Sequence, residues 1–267
     1  MIDIVPPTPE QPPDRTVVDM VRASARATPG KEALICGETR LTWGAFDKRI
    51  NRVANMLLAR GLEKGDRIAV LSPNSAVYSE LFMGILRAGG CIVPLSTMAS
   101  PDALNKMLAD CGARVLFLAD QYRHLAEPFL PGLTLDRIAL DFSQEGFEEY
   151  EALLAGAAET DPEIAIGMGD AFNLIYSSGT TGTPKGILHN HWMRAAQMSR
   201  VGPNGYADDD ARTLISTPLY SNTTIVCFLP AMVGGGTAYL MPKFDARGFL
   251  ELAEKHRATH AMLVPVQ

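Results

Sequence analysis

Apolar residues along this chain fall into two interleaved patterns. Runs of four or five, such as Arg67-Ile-Ala-Val-Leu71, Cys91-Ile-Val-Pro94 and Arg114-Val-Leu-Phe-Leu118, carry almost no polar interruption. Such runs suit strands buried on both faces. Between them, apolar positions recur at helical spacing. The pattern predicts a helix from residue 17, a two-stranded ribbon over 32–41 turning at Gly37, and a helix over 42–60 capped by Thr42. It then predicts strands over 67–71, 91–94, 114–118 and 137–141, with helices over 74–88, 101–110 and 122–129. Strands alternating with helices of this length imply a largely parallel sheet with helices on both faces.

Residues 142–169 are acidic and alanine-rich and read as a connector with one short helix, the best internal boundary. A second α/β run starts at Ala171, with strands expected over 213–217, 237–241 and 260–265 and a helix over 246–256. The expected organisation is therefore a proline-rich arm over 1–16, a first α/β subdomain over 17–160, and a second over 161–267. The longest apolar stretch, 225–242, is broken by Pro230 and Gly234-Gly-Gly236. That predicts a buried helix, a turn and a strand rather than a membrane span.

Composition narrows the class of function. With 47% hydrophobic and 20% charged residues the chain is globular in character. Its formal net charge of −6 gives no support to nucleic-acid or anionic-membrane partners. Four widely spaced cysteines, with no Cys-x-x-Cys pair and no signal-peptide pattern at Met1, point to reduced thiols in a cytoplasmic protein.

The chemistry concentrates in Tyr176-Ser-Ser-Gly-Thr-Thr-Gly-Thr-Pro-Lys-Gly186. Gly179 and Gly182 can adopt backbone angles closed to other residues, turning main-chain N–H groups toward an anion. Ser177, Ser178, Thr180, Thr181 and Thr183 add short donors, Lys185 adds a charge on a long stem, and Pro184 restrains the exit. The spacing matches neither a Walker A loop nor a Gly-x-Gly-x-x-Gly dinucleotide fingerprint. Apolar residues on either side read as short strands, and Asn190 suits the cap of a following helix, so the loop tops a strand–loop–strand flap.

At these residues the chain resembles the adenylate-forming superfamily of acyl-CoA synthetases, luciferases and peptide-synthetase adenylation domains. Leu41-Thr-Trp-Gly-Ala-Phe46 with Asn51 and Ala54, Leu86-Arg-Ala-Gly-Gly-Cys-Ile-Val-Pro-Leu95, and Thr217-Pro-Leu-Tyr220 resemble further segments of that family, so the likeness runs from about Val17 to Gln267. It implies the N-terminal large-domain portion of an acyl-CoA synthetase-like α/β fold, with mostly parallel sheets flanked by helices and the C-terminal part absent. It also implies adenylation of a carboxylic acid by ATP, then thioester formation with coenzyme A. On this reading Thr180 and Lys185 are catalytic, residues Ser177 to Gly186 contact ATP, and Ser177 touches Mg²⁺. Tyr220, Ser221, Asn222 and Thr223 line the acid. Ser221 departs from the family, where many members place a histidine.

The family's later motifs for magnesium, ribose and the reacting carboxylate do not appear. The expectation is an N-terminal part that is inactive by itself. A non-catalytic nucleotide-binding or interaction module, and an adenylation domain loading a carrier-protein thiol, remain open alternatives. A metal role for His189 and His191 lacks acidic or thiol companions. Asp208-Asp-Asp210 reads as a solvated loop, Gly89-Gly90 as a tight helix-to-strand turn, and Ser221 and Asn222 equally as a helix cap.

Overall fold

The computed structural model describes residues 13–177, 184–201, 205–265 and 267. In chain order they form α1 (Val17–Ala27), β1 (Glu32–Cys36), β2 (Thr39–Thr42), α2 (Trp43–Ala59), β3 (Arg67–Leu71), α3 (Ala76–Arg87) and β4 (Cys91–Pro94). Next come α4 (Pro101–Cys111), β5 (Val115–Leu118), α5 (Arg123–Ala126), β6 (Asp136–Ala139), β7 (Glu148–Glu149) and α6 (Tyr150–Ala155). The last elements are β8 (Ala171–Ser177), β9 (Lys185–Asn190), α7 (His191–Val201), β10 (Arg212–Ile215), α8 (Asn222–Val233), β11 (Thr237–Leu240), α9 (Ala246–His256) and β12 (His260–Met262).

Two sheets result. One has the order β7-β6-β5-β3-β4-β8-β9, parallel throughout except for β9, which runs antiparallel to β8. The other has the order β12-β10-β11-β1-β2, parallel except for the β1–β2 ribbon. This is the mixed α/β architecture, with mostly parallel sheets flanked by helices, that the periodicity predicts.

Local chemistry sets the helix starts. Thr16 accepts from Asp19 N while Asp19 accepts back from Thr16 N, a capping box that satisfies two otherwise orphaned donors. Thr42, Ser75, Ser100 and Asp245 accept from Ala45, Tyr78, Ala103 and Gly248 N–H groups, and Pro101 opens α4 where its missing N–H costs nothing. Gly89, at φ +84°, makes the tight turn from α3 into β4.

The largest apolar cluster lies between the two sheets and is filled by α1, α2, α3 and α8. The Trp43 ring is fully buried, and its indole N–H donates to the Gly235 and Gly236 carbonyls at 3.2 Å each, tying α2 to the turn before β11. α2 and α3 approach so closely that a Cβ on Gly84 would lie 2.4 Å from Val53 Cβ. Charges buried in this layer are paired. Arg87, 1% exposed, donates to Asp47 and Asn51 at 2.6 Å each. Glu80 accepts from Arg49 at 2.9 Å and from the Tyr150 hydroxyl at 3.0 Å.

Several expectations shift. The helix expected from residue 74 starts at Ala76, because Ser75 caps it and leaves Asn74 outside. The strand expected over 213–217 ends at Ile215, before Pro218, and that over 260–265 spans only His260–Met262. The sheets also cross the division expected at residue 160. β8 and β9 join the sheet built by the earlier strands, while β1 and β2 join β10, β11 and β12. A linker-like composition marks where a chain is solvated; strand pairing across the sequence decides which sheet it enters. The connector itself is fastened down, with Asp161 accepting from Arg22 at 2.6 and 2.9 Å. Among the described residues no helix is long and apolar enough to cross a membrane, and the four cysteines are free thiols.

The α2–α3 contact yields a stability test. Gly84→Ala forces a methyl into space held by Val53, and urea unfolding should show a loss of about 1–3 kcal/mol with an unchanged slope.

Candidate functional site

The site begins with the β8–β9 ribbon. β8 runs parallel to β4, so Ser177 emerges at the same sheet edge as the carboxyl end of β4. Antiparallel pairing then sets Ser177 opposite Lys185, which holds a hydroxyl and an ammonium-bearing stem side by side at the ribbon's head, both exposed. One register step back, Tyr176 pairs with Gly186. A Cβ on Gly186 would lie 3.3 Å from the Tyr176 ring, so glycine leaves that ring room to lie across the ribbon. The Tyr176 hydroxyl donates to Asp110 Oδ2 at 2.5 Å and lies 3.2 Å from Met107 O, anchoring the ribbon to α4.

The carboxyl ends of the parallel strands of both sheets converge on a cleft of about 560 Å³. Ligands of open α/β sheets bind at such strand ends. Residues following β3, β4, β5, β10 and β11 line it, among them Asn74, Met98, Tyr122, Tyr220, Lys243 and Phe244. Asn74 is 4% exposed and bridges the sheets. Its amide N–H₂ donates to Thr217 O at 2.9 Å and Met241 O at 3.1 Å, and its Oδ1 accepts from Leu219 N–H at 2.8 Å. The network assigns the amide's orientation, because its oxygen faces an N–H and its nitrogen faces two carbonyls.

A second polar cluster ties the ribbon to α8. Arg194, on α7 and 2% exposed, donates from Nε to Asn173 Oδ1 at 2.9 Å on β8. From Nη2 it donates to Asn222 Oδ1 at 2.9 Å, and from Nη1 to Gln197 Oε1 at 3.1 Å. These partners are neutral, and burial lowers the guanidinium pKa to about 10. Asn173 also meets His189 Nδ1 at 3.2 Å, and burial followed by the charge of Arg194 lowers the His189 pKa. Asn190 caps α7 as expected, accepting from Met193 N–H at 2.9 Å. His191 is fully buried edge-on to Phe172, with neither ring nitrogen hydrogen-bonded among the described residues. Burial drives its pKa down to about 4. The two histidines therefore do not form a pair on one face. The described residues contain no group of three His, Cys, Asp or Glu side chains placed to hold a metal.

Of the site residues read from sequence, Ser177 and Lys185 meet through strand register, Pro184 is half-buried, and Gly186 pairs with Tyr176. Ser178, Gly179, Thr180, Thr181, Gly182 and Thr183 lie outside the described residues. Tyr220 lines the cleft. Ser221 occupies the cap position of α8 but makes no side-chain cap bond, Asn222 is held by Arg194, and Thr223 is exposed. The hydroxyl-cap reading of this segment therefore fails at Ser221. Sequence reasoning missed Asn74 and Arg194. Asn74 was detectable, as a polar residue just past the carboxyl end of a parallel strand. Arg194 carries no such signal, because two of its partners come from other elements, β8 and α8.

The description "AMP-binding enzyme" fits a family model that matches residues 21–267. The chain is 32% identical over 243 residues to a feruloyl-CoA synthase of an Amycolatopsis species, covering 90% of this chain and 47% of that protein. It is 30% identical over 258 residues to the long-chain-fatty-acid–CoA ligase FadD13 of Mycobacterium tuberculosis, covering 92% and 49%. It also superposes on the inhibitor-bound N-terminal domain of FACL13 from Mycobacterium tuberculosis with a TM-score of 0.81 at 26% identity, covering 94% of this chain and 63% of that one. The chain thus spans about half the length of the curated relatives it matches.

The buried polar groups of the site lend themselves to two measurements. Asn74→Leu removes three buried hydrogen bonds at once and should lower unfolding stability by about 3 kcal/mol, measured by urea titration. His191 resists protonation when folded, so its contribution is complete above the unfolded pKa of about 6.5 and is lost as pH falls from there toward 4. The integrated loss is on the order of 3 kcal/mol. His191→Phe should flatten that part of the stability–pH curve, and an unchanged curve would refute the assignment.

Proposed function

Because the chain belongs to the AMP-binding enzyme family, we propose that it forms the ATP- and acid-facing part of an acyl-CoA ligase. The reaction has two halves. A carboxylate oxygen of the acid attacks the α-phosphorus of ATP, and the bond from that phosphorus to the bridging oxygen of the β-phosphate breaks. An acyl-adenylate forms and pyrophosphate leaves with the bonding electrons. The thiol of coenzyme A then attacks the acyl carbon, losing its proton, and AMP departs.

The observation that carries this reading is the pairing of Ser177 with Lys185 at the ribbon's head, at the same sheet end as the carboxyl end of β4, whose following residues Thr97 and Met98 line the cleft. Displacement at phosphorus asks a protein mainly for positioning and for charge on the departing oxygens. Lys185 supplies the charge, and residues Ser178 to Thr183 are proposed to add hydroxyl and main-chain donors, with Thr180 and Lys185 serving the departing pyrophosphate. Tyr220, with the segment Ser221-Asn222-Thr223, is proposed to face the acid. Arg194 supports that arrangement by holding Asn222 and Asn173 together.

Magnesium neutralises phosphate charge when bound. The described residues offer no acidic cluster for it, so it is proposed to enter with ATP and to take from this chain the Ser177 hydroxyl. Coenzyme A is proposed as acceptor on the strength of the relatives' stated activities. The chain alone is proposed to bind ATP without turning it over.

Calorimetry with ATP and Mg²⁺ tests the reading. Loss of a charge-assisted contact is worth about 1.5–3 kcal/mol, so Lys185→Ala should weaken binding at least about tenfold. Equal affinity of the parent and the variant would remove Lys185 from the phosphate site. Pyrophosphate release by the parent chain with a panel of carboxylic acids would overturn its inactivity.

A further inference from the structure

A second, smaller cavity of about 180 Å³ lies beside the cleft, between the β1–β2 turn, the carboxyl end of β11 and the last turn of α9. Buried Ile35 and Tyr239 and half-buried Leu252 line it with apolar surface, and the exposed side chains of Arg40, Lys243 and Lys255 line it where it meets solvent. His256 closes one wall, its ring 4.4 Å from that of Tyr239 and tilted by 31°. Burial, then Lys255 and Arg40, lowers the His256 pKa, which favours the neutral ring.

Charge at the mouth is not balanced locally. Glu32 takes Arg40 at 2.7 Å, but among the described residues no carboxylate pairs with Lys243 or Lys255. Of the two glutamates on α9, Glu251 is held by Arg247 at 2.7 Å, and Glu254 makes no ion pair with Lys255 among the described residues. Lys255 and His256 sit in the last turn of α9, where a cation also complements the helix dipole. That account does not reach Lys243, which comes from the segment after β11 and lines the same cavity.

Size bounds the ligand. An apolar cavity of about 150 Å³ admits a benzene ring, and this one is slightly larger. We propose that the pocket binds a small ring-bearing carboxylate of benzoate or phenylacetate size, with the ring against Tyr239 and Leu252 and the carboxylate at Lys243 and Lys255. The site is separate from the phosphate ribbon, and its occupancy does not rest on the adenylation reading.

The test is an amide-shift NMR titration of this chain with benzoate, alongside benzyl alcohol and inorganic phosphate. Lys255 and Leu252 line this pocket and not the cleft, so variants there separate the two sites. Benzoate should bind saturably, with shifts centred on Tyr239 and His256, and more tightly than either comparator. Lys255→Gln should weaken it by about fivefold, the upper range for a partly exposed ion pair, and Leu252→Trp should abolish it by filling the cavity. Both variants should keep the parent's melting temperature and its affinity for ATP. Absence of saturation would overturn the proposal. So would phosphate binding as tightly as benzoate, or benzoate binding that ignores Lys255→Gln and Leu252→Trp but is lost in Tyr220→Ala.

Discussion

The buried amide of Asn74 joins the two halves of this structure. It follows β3 in one sheet and holds the segments that leave β10 and β11 in the other. Both carbonyls and the N–H it satisfies belong to chain that has just left a strand and has lost its ladder partners. Buried main-chain groups of that kind must be paired, and one planar side chain with two donors and an acceptor pairs all three. The segments that leave β3, β10 and β11 and line the cleft are thereby joined through one side chain. A shorter or apolar residue would let them collapse or leave them unsatisfied.

Arg194 has a comparable role on the other side of the site, at a different cost. Among the described residues, it brings a charge into the protein with only amide oxygens and the face of Phe172, 5.9 Å away, to stabilise it. Arg87, by contrast, has the carboxylate of Asp47 at 2.6 Å. Neutral acceptors leave a buried cation under-compensated, which fits the lowered pKa of Arg194 and its effect on His189. What the arrangement provides is linkage. The strand that delivers Ser177 and the helix that begins after Tyr220 share one guanidinium, so one side chain joins the phosphate end and the acid end of the proposed site.

Elements with strong local signals are legible in the amino-acid sequence. The β8–β9 flap, the Thr42 and Asn190 caps, the Gly89 turn and the α8–turn–β11 reading of residues 225–242 all depend on contacts within a few residues. So does the resemblance that leads to the AMP-binding family, since it rests on short contiguous motifs. Asn74, Arg194 and the pairing of the amino-terminal ribbon with β11 leave no such trace, because each depends on partners more than a hundred residues away or on several elements at once.

Composition and periodicity by themselves determined that this chain builds helices around parallel strands, roughly where most of those elements lie, and that a hydroxyl- and glycine-rich stretch of sequence leads into Lys185. Only the tertiary structure decided which sheet each strand enters, that Ser177 stands opposite Lys185 in the ribbon's register, and that a cationic pocket lies beside the cleft. The reason is physical. Propensity, capping and turn chemistry act over one or two turns of chain, whereas sheet membership and cavities depend on which distant surfaces bury one another.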